Sequence, residues 1–175
     1  MIDPSRNHFD LFGLPATFRI DTDALDSAYR ALQGEVHPDR HAGGSEADRR
    51  LAMQSSTLVN EAYQALKDPV ERARYLLSLR GIDAFDETDT KLSLDFLEAQ
   101  LDRREQAAQA ADVDDVEALD AILAEVRSEI SERQHQLERL LDEAAAVDRA
   151  KAAVRELRFL AKVAEDVDAM LASLD

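Results

Sequence analysis

The chain has 175 residues, enough for one ordinary domain or two small ones, and its 45% apolar and 33% charged content excludes a disordered polymer. It has no Cys, which excludes disulfides, thiolate zinc sites and cysteine nucleophiles. The net charge of −16 is uneven: residues 1–80 hold 10 Lys+Arg against 12 Asp+Glu, residues 81–175 hold 11 against 25, and so acidic a second half argues against nucleic-acid binding.

Only five Gly and four Pro interrupt a sequence dominated by Leu, Ala, Glu, Asp and Arg, so an all-α fold is expected. No apolar run approaches the ~18 residues of a membrane span. The start, Met1-Ile2-Asp3-Pro4, lacks the basic and apolar regions of a secretory signal. A soluble, cytoplasmic protein is the expectation, with no membrane partner.

A first short segment, Phe9 to Pro15, closes on Gly13 and Pro15. Asp21 or Thr22 then caps a helix in which Leu25, Tyr29, Leu32 and Val36 recur at helical spacing. It should stop near His37, because Pro38 disfavours the α conformation in the residue before it. After a loop containing Gly43 and Gly44, Ser45 to Asp48 reads as a cap with acidic residues in the first turn. The helix that follows places Leu51, Ser55, Leu58, Ala62 and Leu66 on one face, with Val59 beside them. Asp68-Pro69-Val70-Glu71 starts another, ended by Gly81. The two middle helices are antiparallel neighbours, and the turn between them carries His37-Pro38-Asp39.

From Ser93 the text is nearly pure helix, in segments 93–111, 114–145 and 148–174. Val116, Leu119, Leu123, Val126, Ile130, Leu137, Leu141 and Ala144 follow a three-four rhythm in the second, with Gln134 in the gap. In the third, Ala150, Leu157, Ala164 and Leu171 alternate with Val154, Leu160, Val167 and Leu174. Short connections make an up-down-up three-helix bundle. The predicted organisation is a domain over 1–80, a linker over 81–92 and a bundle over 93–175.

The tripeptide admits several chemistries. His37, Asp39 and His41 form H-x-D-x-H, a ligand set that zinc or non-haem iron accepts, and a metal-dependent enzyme is one alternative. Pro38 separates two of those donors, however, and His8 and His135 are remote in sequence. No nucleophile motif, phosphate-binding Gly loop or evident carboxylate pair accompanies them, so no catalytic residue, metal or cofactor is assigned. Asp39 capping the next helix is a further reading.

Val36-His37-Pro38-Asp39-Arg40, then Val59-Asn60-Glu61-Ala62-Tyr63-Gln64-Ala65-Leu66, Asp68-Pro69, Arg72 and Tyr75 resemble the J-domain. Leu11 to Pro15, Arg72 to Gly81, Phe96-Leu97 with Gln100-Leu101 and Arg104-Glu105, and Leu157 to Leu160 are similar to the HscB family, J-domain co-chaperones of iron–sulfur cluster assembly. The likeness implies a J-domain followed by a three-helix bundle, and no enzymatic activity. It implies a DnaK-type ATPase, HscA, bound and stimulated through His37, Pro38 and Asp39 with Arg30 and Arg40. It also implies a scaffold protein, IscU, held by Leu97, Glu98, Leu101, Asp102, Glu105 and Phe159, with Gln109 beside them. A J-domain co-chaperone for a different client is the other alternative.

Independently of that likeness, Phe159 lies about 200° round its helix from Leu157 and cannot share its seam. The apolar arc from Phe96 through Leu97 to Leu94, Leu101 and Ala108 is wider than one seam needs, so an exposed patch is expected. One departure concerns charge. J-domains usually present a basic helix before the tripeptide; here Arg30 is accompanied by Asp23, Asp26 and Glu35, and Gly34 costs that helix about 1 kcal/mol relative to Ala.

Overall fold

The computed structural model describes residues 6–36, 43, 45–86, 92–142 and 146–174. Contacts divide the chain into two units, Met1–Leu76 and Leu77–Asp175. Among the described residues every regular element is a helix, as expected.

In the first unit, helices begin where a short polar side chain satisfies the first free amides. Asn7 caps α1 (His8–Phe12), accepting from the Asp10 amide at 2.9 Å, and Gly13 closes it at φ 67°, a conformation glycine adopts without strain. Asp21 rather than Thr22 caps α2 (Thr22–Val36), its Oδ1 accepting from the Asp23 and Ala24 amides at 3.0 Å each. Ser45 and Asp48 form a reciprocal capping box on α3 (Glu46–Lys67). Asp68 accepts from the Glu71 amide at 2.8 Å and starts α4 (Pro69–Ser78).

These helices close over Phe9, Phe12, Phe18, Leu25, Val59, Ala62, Leu66 and Ala73, all buried. The seam of α3 differs from the expected one: Leu51 is exposed, and Ala52, Ser55, Val59, Ala62, Tyr63 and Leu66 are buried. With 22 residues against the 15 of α2, α3 has more turns than its partner covers. Arg72 is buried: its Nη1 donates to the Leu66 carbonyl at 2.9 Å, closing the end of α3, and its guanidinium lies 5.1 Å from the Phe18 ring centre. Tyr75 stacks on His8 at 4.1 Å and accepts from the His8 amide at 2.9 Å, tying α4 to α1.

The second unit contains α5 (Leu94–Asp112), α6 (Val116–Asp142) and α7 (Val147–Leu174). Arg133–Glu156 at 2.6 Å and Arg127–Asp168 at 3.1 Å show α6 and α7 running antiparallel, since partner numbers rise on one as they fall on the other. By the same test α5 runs parallel to α7, through Phe96–Phe159 and Arg104–Asp166. Leu119, Ile122, Leu123, Val126, Leu160, Val163 and Val167 form one core with Phe96, Ala107 and Ala110. Covering each large side chain contributes about 1.5–3 kcal/mol. Two details differ from the rhythm read in the sequence: Ile122 and Leu140 are also buried, while Val116 is exposed. A seam facing two neighbours is wider than one stripe, and Val116 stands at the helix start.

At 19 residues, α5 covers only part of a hairpin whose helices have 27 and 28. The segment before it covers more. Arg80 donates to the Leu141 carbonyl, Arg155 Nε donates to the Ala84 carbonyl at 2.8 Å, and Ala84 is fully buried. Residues 80–86, which include the described start of the expected 81–92 linker, thus lie on the bundle.

Candidate partner-binding surfaces

Two surfaces follow from this architecture, one on each unit. On the first, α2 and α3 are joined by a polar ladder at the edge of the core, which begins at the buried Tyr63. The Tyr29 and Tyr63 rings stack at 3.9 Å, and Tyr29 Oη donates to Asn60 Oδ1 at 2.8 Å. Gln33 Nε2 donates to the same oxygen. Tyr63 Oη donates to Asp26 Oδ1 at 2.8 Å, and Lys67 Nζ reaches that carboxylate at 3.2 Å. The hydrogen bond from Tyr63, then that from Lys67, holds the Asp26 carboxyl below its ordinary value; the Lys67 ammonium is raised, first by its hydrogen bond to Tyr63 Oη and then by that to Asp26.

Asp26 was grouped in the sequence with the acids opposing Arg30; in the structure its charge is answered from α3. The exposed face of α2 carries Asp23, Ser27, Arg30 and Gly34, with Arg30 Nη2 donating to Ser27 Oγ at 3.4 Å. His37, Pro38, Asp39, Arg40 and His41 lie outside the described residues. Among the described residues no cluster of three or more His, Cys, Asp or Glu is arranged to hold a metal, and no helix is long and apolar enough to cross a membrane.

On the second unit, Phe96 turns inward from α5 and leaves three leucines outside: Leu94, Leu97 and Leu101 are 74%, 39% and 58% exposed. At 100° per residue they share an arc of about 60°. Glu98, Asp102 and Glu105 are exposed along one border of that stripe, and Gln109 is exposed beyond them. Phe159 approaches from α7 and is half-buried, its ring edge-on to Phe96 at 5.7 Å and 78°. Arg104 carries part of the family likeness but no expected role; its guanidinium lies 5.1 Å from the Phe159 ring centre and pairs with Asp166 at 3.4 Å. Nothing in the Arg103-Arg104 pair signals this, because both partners come from another helix.

Arg103 turns the other way, to Glu129 and to Gln100 Oε1 at 2.6 Å, and Gln100 is buried. Together these side chains form an apolar stripe with an acidic border and one aromatic anchor. Such a surface can bind a partner but offers no reacting group.

Comparison with known proteins agrees with this division. The DnaJ domain family model matches residues 7–75, and the model described as the HSCB C-terminal oligomerisation domain matches 92–168. The chain is 49% identical over 176 residues to the co-chaperone protein HscB homolog of Burkholderia multivorans, covering 100% of this chain and 99% of that one. Among solved structures, chaperone HscB from Vibrio cholerae is similar with a TM-score of 0.88 and 37% identity, over 97% of this chain and 100% of that one. The human co-chaperone protein HscB is similar with a TM-score of 0.87 and 29% identity, over 96% of this chain and 83% of that one. The chain therefore belongs to the HscB family: it is a J-domain co-chaperone of iron–sulfur cluster assembly, a partner of an Hsp70-type chaperone and not an enzyme.

Proposed function

We propose that the first unit stimulates ATP hydrolysis by the DnaK-type chaperone HscA, and that the second delivers the iron–sulfur scaffold IscU to it, in the cytoplasm. His37, Pro38 and Asp39 act on the ATPase, with Arg30 and Arg40 contributing to docking. A proline-stiffened turn offering an imidazole and a carboxylate suits breaking and remaking hydrogen bonds in a partner. Because Asp26 is engaged by Tyr63 and Lys67, less of the acidic charge on α2 opposes Arg30.

The scaffold is held by Leu97, Leu101 and Phe159, with Glu98, Asp102 and Glu105 meeting basic groups on it. The observation that carries this reading is the exposed leucine stripe on α5, which the bundle's own packing leaves uncovered. The test is calorimetric titration of the scaffold protein into the chain. Leu97→Ala combined with Phe159→Ala should weaken binding by more than about 1 kcal/mol, as loss of a central anchor does. Unchanged affinity would overturn the assignment. Co-purification from native extract distinguishes a different client.

A second reading is favoured by the description of the matched C-terminal family model, an oligomerisation domain. The same stripe would then pair two copies of the chain. Sedimentation velocity over a range of concentrations separates the two readings, and a dimer dispersed by Leu101→Asp would support the second.

A further inference from the structure

Four of the eleven Lys+Arg in residues 81–175 fall within twelve consecutive positions of α7: Lys151, Arg155, Arg158 and Lys162. Spaced by four, three and four, they lie within about 60° of one another round the helix axis. In a half carrying 25 Asp+Glu, this stripe is a local reversal of sign.

Beside it opens a cavity of about 330 Å³ walled by Phe85, Leu92 and Phe159. Arg155, Arg158 and Lys162 stand around it, with Asp86 as the acidic member of the lining. The volume suits one or two apolar side chains and no folded element. Arg158 is exposed, and its guanidinium stacks 4.5 Å from the Phe85 ring centre. Stacking occupies the face of a guanidinium and leaves its in-plane N–H donors for a carboxylate. Lys162 already meets Glu165 and Asp166 at 3.2 Å each, whereas Arg158 makes no ion pair among the described residues. Phe159 lines this cavity and also meets Phe96 and Arg104 of α5, so it stands between the two.

We infer that this cavity and the basic stripe form a second anchor for the scaffold protein, taking an apolar side chain flanked by carboxylates. The inference rests on the assignment of the bundle to the scaffold. Its consequence is a face of two signs: the acidic border on α5 selects a basic part of the client, and α7 selects an acidic part. Two opposite charges set apart on one face admit one orientation and penalise the reverse.

The test is calorimetric titration of purified IscU into the full chain, at low and at raised salt. Arg158→Glu should weaken binding about tenfold and reduce its salt dependence, and Arg158→Gln should show a smaller loss in the same direction. Phe85→Ala, which removes one wall, should weaken binding several-fold. Thermal melts identify any variant that fails to fold, and Arg158→Gln then decides. Wild-type affinity in the Arg158 variants, with Leu101→Ala still weakening binding, overturns this inference alone. Wild-type affinity in all of them, or no binding by the unsubstituted chain, overturns it together with the assignment beneath it.

Discussion

Phe159 on α7 meets Phe96 on α5 edge to face, with ring centres 5.7 Å apart and planes at 78°. The pair joins two helices that are not neighbours in sequence, and it makes Phe159 a packing residue as well as a candidate contact. Phe159→Ala should therefore lower the unfolding free energy by about 1–2 kcal/mol. Leu101→Ala, at a position 58% exposed, should change it by less than about 0.5 kcal/mol. Urea denaturation of both variants checks this. Binding losses at Leu101 are then contact losses, while those at Phe159 need correcting for stability.

The Tyr63–Asp26 hydrogen bond, 2.8 Å long, is the largest cause of the lowered Asp26 carboxyl. Its contribution to stability is complete above the ordinary carboxylate value of 3.8 and is lost as pH falls through the lower folded value. Tyr63→Phe should move the Asp26 carboxyl upward, followed by NMR titration of its side-chain carbon. Asp26→Asn should remove this part of the acid sensitivity of the first unit.

His8 is partly desolvated against Tyr75, which lowers its imidazole below the ordinary 6.5, although Glu61 acts in the opposite sense. A lowered histidine means that the unfolded chain binds the proton more readily than the folded one. Stability should therefore fall as pH drops through about 6.5 toward the folded value. His8→Phe, which keeps a ring against Tyr75, should flatten that part of the curve. Thermal melts of both proteins across neutral to mildly acidic pH measure the difference.

A Cβ added at Gly34 meets nothing within 4 Å, and the residue is exposed inside α2. Gly34→Ala should stabilise the first unit by about 0.5–1 kcal/mol, read from its denaturant midpoint. If the chaperone approaches the backbone there, stimulation of its ATPase will fall although the fold is firmer.

His37→Gln should abolish stimulation of the partner ATPase while leaving the melting temperature and scaffold affinity unchanged. A steady-state ATPase assay with HscA decides the matter, and normal stimulation would contradict the role given to the tripeptide. Elemental analysis of the purified chain tests separately whether His37, Asp39 and His41 hold a metal.

Much of the fold was legible locally. Caps act over three residues, so Ser45 and Asp68 marked their helix starts without knowledge of anything distant, and the start of α2 was narrowed to Asp21 or Thr22. The three-four rhythm of 116–141 and 150–174 identified two long helices, and the residues surrounding His37 identified the first unit. The width of the apolar arc on α5 indicated leucines left over. Which residue of that arc turned inward was not legible, because spacing gives angles round one helix and not the position of the next.

The sequence by itself determined the all-α class, the order of the two parts and the residues that carry the family likeness, since these are properties of local pattern. Only the tertiary structure decided that Asp26 is answered by Tyr63 and Lys67, 37 and 41 positions away. It also decided that Arg104 and not Arg103 meets Phe159, and that residues 80–86 lie on the bundle. Each of these depends on the register between helices, which is set by how whole side-chain surfaces interlock and is written in no single segment.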